Sequence, residues 1–179
     1  MIASAPLPDG ALLSRYATRG YTDCFITEIS GKVTLAQYVE AFYTTPIFRL
    51  ERLILRWLAS RPSTDADVTR LATGSSDQFA AWTVEERGDD QLLLADFRGH
   101  TRSWLMVLDI GKPDAAAMRL YFGSAVLARR GNEPGDLAPG AGYRALLGFH
   151  RIYSRVLLRA AGSRLRAGLL AGAAPGSSR

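Results

Sequence analysis

Apolar and polar positions first alternate from Asp23 to Ile29, with Phe25 and Ile29 on one side and Cys24 and Ile26 on the other. That period predicts a strand, which Ser30-Gly31 ends. The period then lengthens. Thr34 is placed to cap a helix from Leu35 to about Thr44, whose Leu35, Tyr38, Val39 and Phe42 form one apolar stripe. Pro46 stops that helix and opens another, in which Ile47, Leu50, Ile54, Trp57 and Leu58 are expected to face inward. A third, short helix is expected from Thr64 to Leu71, with Asp65 and Asp67 at its positive end.

Four strand candidates follow: Ala80 to Glu86, Leu92 to Phe97, Thr101 to Ile110 and Met118 to Leu127. The links between them are too short for parallel crossovers, so one antiparallel sheet is expected. Trp104, Met106, Leu108 and Ile110 fall on one face of the third segment, and Met118, Leu120, Phe122 and Val126 on one face of the fourth. We read these sets as a single continuous apolar face. After the Gly131–Gly142 link, steps of about 100° per residue place Ala145, Leu146, Phe149, Ile152, Tyr153, Val156, Leu157 and Ala160 on one helical arc. Arg144, Arg151, Arg155 and Arg159 lie opposite. A half-apolar helix and a half-exposed sheet satisfy one another, so this helix is expected to cover the sheet.

The resulting division is a loosely held arm over residues 1–20 with one short turn near Leu12 to Tyr16, one α+β domain over residues 21–171, and a disordered tail over residues 172–179. At 179 residues, with 47% apolar and 22% charged composition, the chain suits one core. The lone Cys24 forms no internal disulfide and no basic-apolar leader precedes it, so a cytoplasmic location is expected. No apolar run approaches the roughly 20 residues of a membrane span. The net charge of +5 is concentrated late: Asp136 is the last acidic residue, and Arg144, Arg151, Arg155, Arg159, Arg164, Arg166 and Arg179 follow it.

The order strand, paired helices, consecutive antiparallel strands and long terminal helix resembles the helix-grip fold of the START-like superfamily, which includes the Bet v 1 and polyketide cyclase-dehydrase types. The stretches Phe42-Tyr43-Thr44-Thr45-Pro46-Ile47-Phe48-Arg49-Leu50 and Gly148-Phe149-His150-Arg151-Ile152-Tyr153 also look like those of a bacterial branch of that superfamily. The resemblance implies a curved sheet gripping the last helix, with a cavity between them for a small apolar molecule. Such folds usually carry six strands after the helix pair, whereas four are counted here. A cystatin-like cyclase fold, which closes on a strand, is the competing architecture.

Candidate chemistry is sparse. His100 and His150 are the only histidines, and no carboxylates or cysteines stand at ligand spacing, so neither a metal nor a cofactor is expected. Nothing matches a nucleotide-binding loop or a nucleophile elbow. His150 borders the helix arc within a turn of Tyr153, so it either reaches a cavity as a hydrogen-bond donor or base, or is satisfied at the core edge. Asp96 is expected either on the surface, paired across the hairpin, or inward beside Arg98. Trp82 and Trp104 supply aromatic bulk that serves equally as core or as cavity wall.

The leading expectation is a small apolar or amphipathic ligand held by His150, Tyr153, Trp82, Trp104 and Asp96. A cyclase or dehydratase enzyme using His150 and Asp96, and an arginine-rich interaction module, are the alternatives. Nucleic-acid and strong membrane-surface binding are not expected: the helix arc is assigned to the sheet, and its arginines are expected to pair partly with carboxylates.

Overall fold

The computed structural model describes residues 1–50, 63–127 and 141–173, with side chains for all of these except 141–150 and 173. The second helix beyond Leu50, most of the Gly131–Gly142 link, the tail beyond Ala173 and the side chain of His150 lie outside the described residues.

Seven strands, β1 (Ala3–Ser4), β2 (Gly20–Ser30), β3 (Gln78–Phe79), β4 (Trp82–Arg87), β5 (Gln91–Asp96), β6 (Thr101–Asp109) and β7 (Ala117–Leu127), form one open sheet. Their order is β1-β2-β7-β6-β5-β4-β3, and every pairing is antiparallel. The hairpins from β4 to β7 run as the short links require. The longest junction is not local: β2 and β7 pair in unbroken register from Gly20↔Leu127 to Ser30↔Ala117. Two strands exceed the sequence reading. Ala3–Ser4 adds to β2, and Gln78–Phe79 turns into β4 through Ala80, whose φ of 52° is left-handed.

The helices begin where their caps dictate. Thr34 accepts from the Gln37 amide and the Gln37 side chain returns to the Thr34 amide, starting α1 (Leu35–Tyr43). Thr64 and Asp67 repeat the device for α2 (Asp65–Ala72). Between them Thr45 Oγ1 accepts from Phe48 N at 3.2 Å, just ahead of Pro46, and residues 46–50 are helical. In that turn Phe48 is buried and Leu50 exposed, which reverses the inward position expected of Leu50. The last helix, α3, runs from Ala141 to Ala173.

Both faces of the sheet are apolar. Register sets Trp104 opposite Gly123 and Leu105 opposite Phe122. The Trp104-Met106 and Met118-Leu120-Phe122 sets therefore lie on opposite faces, and the single face expected from sequence is corrected to two. Leu92, Leu94, Leu105, Val107, Leu120 and Phe122 pack with α1 and α3. Leu93, Trp104, Met106, Tyr121 and Ala125 pack instead with Leu13 and Tyr16 of the N-terminal segment.

That segment is not a loose arm. Leu12–Tyr16 is a 3-10 turn, Leu13 is fully buried, and Gln91 holds the turn by accepting from Leu12 N at 3.0 Å and donating to Gly10 O at 3.2 Å. A β-bulge between Val84 and Glu86 gives β4 one extra residue, Glu85. Tyr16 donates to Glu85, Arg15 pairs with Glu86, and Arg102 Nε lies 2.6 Å from Glu85 Oε2. Gly123 permits the close approach beneath, since a Cβ there would stand 2.7 Å from Leu13 and 2.9 Å from Trp104.

The face that α3 buries differs from the one expected. Ser154, Leu157, Leu158, Ala161 and Leu165 are buried, while Ile152 is 65% and Val156 41% exposed. At 3.6 residues per turn, the helix is rotated by about a third of a turn from the arc read off the sequence. The sequence arc stopped at Ala160 and treated Ser154 as polar. It thereby missed the Ser154-Leu158-Ala161-Leu165 series, in which small side chains let the helix lie close to β2.

Two measurements check these assignments. Leu158→Ala should cost about 2–5 kcal/mol in denaturant unfolding and Ile152→Ala no more than about 0.5 kcal/mol, an order that the sequence arc would invert. Cys24 is buried beneath the N-terminal segment, and loss of hydration together with the nearby Asp23 charge pushes its thiol up to about 12. It therefore stays protonated at neutral pH, so a disulfide reagent at pH 8 should modify it only as fast as the protein opens. Immediate modification in the native state would show that the N-terminal segment does not cover the sheet.

Candidate functional site

At one end of the α3–sheet interface the packing is incomplete. A cleft of about 280 Å³ is bounded by Phe42 and Phe48 on the helical side, Ser103, Phe122 and Ser124 on the sheet, and Tyr153, Ser154 and Leu157 on α3. Trp82, Asp96 and Phe97 close its outer edge. The register explains the position. Ser103 and Ser124 are paired residues on β6 and β7, on the helix-facing side of strands that are otherwise large and apolar there. Two small side chains side by side, facing a third at Ser154, leave room where Leu105 and Phe122 leave none.

The walls are apolar and the floor is polar. The Phe42 and Phe122 rings lie 4.7 Å apart between centroids, and Phe42 also packs edge-on to Tyr43 at 5.2 Å. Ser103, Ser124 and Ser154 are all at least nine-tenths buried. Ser124 Oγ donates to Asp23 Oδ1 at 2.6 Å, and Asp23 Oδ2 accepts from the Tyr21 hydroxyl at 3.2 Å. Ser103 Oγ shares a hydrogen bond of 3.2 Å with the Tyr43 hydroxyl. Trp82 Nε1 is buried with no acceptor among the described residues. A buried N–H without a partner costs about 1–3 kcal/mol.

Of the residues singled out from sequence, Tyr153, Trp82 and Asp96 meet at this cleft. Trp104 does not. It is fully buried on the opposite face of the sheet, where its Nε1 donates to Gln91 Oε1 at 2.9 Å, because strand parity sends it away from α3. Asp96 pairs neither with Arg98 nor across the hairpin: its Oδ1 accepts from His100 N at 2.7 Å and Thr101 N at 2.8 Å, fastening the β5–β6 turn. Arg98 lies over the Phe97 ring instead. The sequence reading missed Asp23, Ser103, Ser124 and Ser154. The legible signal was small polar residues at inward strand positions, Ser103 and Ser124 among large apolar ones.

Among the described residues no group of three or more His, Cys, Asp or Glu side chains converges as a metal site would require, and no helix is long and apolar enough to cross a membrane. The class these features define is an α+β protein with a seven-stranded antiparallel open sheet and a C-terminal helix laid on it. Set against family models, curated proteins and solved structures, the chain matches none.

Because Asp96 Oδ1 holds two turn amides, Asp96→Ala should destabilise the protein by about 1–3 kcal/mol in chemical denaturation. An Asp96 that acted only as a cleft-wall contact would cost nothing measurable in the ligand-free protein.

Proposed function

We propose that this chain binds a small amphipathic molecule in the cleft between sheet and terminal helix, as a helix-grip domain of the START-like kind does. The observation that carries the reading is the apolar cleft itself, walled by Phe42, Phe48 and Phe122, with Trp82 at its edge and hydroxyls at its floor. Apolar walls supply affinity and a few polar groups fix orientation, which is the usual division of work in a ligand site. An antiparallel sheet with a long C-terminal helix laid on it supports the reading at the level of element order. At about 280 Å³ the cleft suits a ring compound or a short acyl chain carrying one hydrogen-bond acceptor. The enzyme alternative is less well supported, since the Asp96 oxygen nearest the turn is already engaged by two amides.

Titration with indole, 2-naphthol and octanoate, followed by tryptophan fluorescence, tests the proposal. In a Trp57→Phe background only Trp82 and Trp104 report; Trp82 edges the cleft and Trp104 does not, so Trp82→Phe should remove most of the signal change. Thr101→Phe fills the cleft from a partly exposed strand position that tolerates an aromatic residue. It should abolish binding while leaving the thermal midpoint unchanged. Undiminished binding by Thr101→Phe would place the ligand elsewhere and sink the proposal.

A further inference from the structure

One face of α3 is left over once the core is filled. Ile152, Arg155, Val156 and Arg159 stand at i, i+3, i+4 and i+7, and Arg166 and Leu170 continue the row from two turns beyond Arg159, forming a stripe on the side away from Leu158, Ala161 and Leu165. Ile152, Val156 and Leu170 are 65%, 41% and 75% exposed. The helix contains no acidic residue, and among the described residues no salt bridge joins Arg155, Arg159 or Arg166 to a carboxylate. Glu28, close by on β2, gives its carboxylate to Arg119 at 2.6 Å.

Two of these arginines are held in place, and the pairing with carboxylates expected from sequence is not found for any of the three among the described residues. Arg166 donates to Glu28 O at 2.9 Å, and the Arg155 guanidinium lies 5.9 Å from the Phe25 ring centre. Between them and the β1–β2 edge runs a groove of about 680 Å³, which Thr27 and Ser163 also line.

We propose that this stripe seats the protein on an anionic lipid surface, with headgroup phosphates in the groove among the three arginines and the exposed aliphatic side chains entering the acyl boundary. Guanidinium forks match phosphate oxygens, and aliphatic residues beside basic ones on a single face are what an interfacial helix presents. From Ile152 to Leu170 the stripe extends about 27 Å, and a flat interface buries both ends of it together. A second copy of the chain fits less well, because a two-fold axis through the stripe would oppose the same arginines. Nucleic acid fits less well because the stripe offers no aromatic ring for bases to stack on.

Co-sedimentation with vesicles tests the inference. At about 0.15 M salt the protein should pellet with mixed phosphatidylcholine and phosphatidylglycerol vesicles, stay in solution with pure phosphatidylcholine, and be released by about 1 M salt. Arg155→Gln with Arg159→Gln should lower the partition coefficient about 25-fold, at about fivefold per arginine. Arg159→Gln alone, which leaves the Phe25 contact intact, should lower it about fivefold. Ile152→Ser with Leu170→Ser should reduce binding with charge unchanged. Arg159→Gln alone and Ile152→Ser with Leu170→Ser should keep the native circular dichroism spectrum and thermal midpoint, since neither touches the core, whereas Arg155→Gln also gives up the contact with Phe25. Equal binding to neutral vesicles, wild-type binding by the double glutamine variant, or complete displacement by millimolar inorganic phosphate would overturn the lipid-surface assignment. So would binding to polyglutamate without binding to vesicles.

Discussion

The pairing of β2 with β7 is the interaction on which the other parts depend. It joins residues about a hundred positions apart along eleven ladder positions, from Gly20↔Leu127 to Ser30↔Ala117, whereas the hairpins β3 to β7 are local. Without it the N-terminal strand has no partner except two-residue β1. With it, β2 becomes the platform under α3, and the preceding 3-10 turn is led back across the other side of the sheet. Loop-closure entropy makes such a contact costly to form and profitable only when much else follows from it. Here two covers follow.

Those covers answer a constraint set by the strands themselves. Leu92-Leu93-Leu94 and Trp104-Leu105-Met106-Val107 are continuous apolar runs rather than alternations, so neither face of β5 or β6 tolerates water. The helices cover one face. The other falls to the N-terminal segment, which offers Ala11, Leu13 and Tyr16 with Leu7 and Leu12 partly buried beside them. Polar clamps supplement it: Gln91 binds both the Leu12 amide and the Gly10 carbonyl, and the bulged β4 turns Glu85 and Glu86 toward Tyr16 and Arg15. The bulge thus does more than bend an edge strand.

What was legible in the sequence was local. Thr34 and Thr64 announce their helices because a hydroxyl at the N-cap answers an amide three residues on, and short Gly-Asp links allow only antiparallel hairpins. Three things were not legible, each depending on partners distant in sequence. Which parity of β6 meets which parity of β7 is fixed by Trp104↔Gly123, a register that Gly123 makes possible by yielding space, and a glycine carries no hydrophobic signal. The N-terminal segment looked loose because its anchors, Gln91 and Glu85, are about seventy or more residues away. The helix face was misjudged because close packing against a strand selects small side chains, and a scale of hydrophobicity ranks Ser154 and Ala161 below Ile152 and Val156. For the candidate cleft, Trp82, Asp96 and Tyr153 were legible as bulk and charge, whereas Ser103 and Ser124 acquire meaning only as a cross-strand pair.

The rotation of α3 links the cleft to the outer stripe. Had Ile152 and Val156 faced the sheet, as their hydrophobicity suggests, Ser154 would have turned outward and branched side chains would have crowded the space beside Ser103 and Ser124. Instead Ser154, Leu157 and Ala161 face inward, and one small side chain from the helix meets two from the sheet, which is the geometry that leaves the cleft open. A helix has only one circumference, so the same rotation sends Ile152, Arg155, Val156 and Arg159 to the outside together. Exposing two branched aliphatic side chains beside guanidiniums is unfavourable in water alone, since burial of either would stabilise the fold by about 1.5–3 kcal/mol. The small-residue face is retained despite that cost because it does two things at once, bringing the helix close to β2 along Ala161 and Gly162 and keeping an apolar opening at its other end.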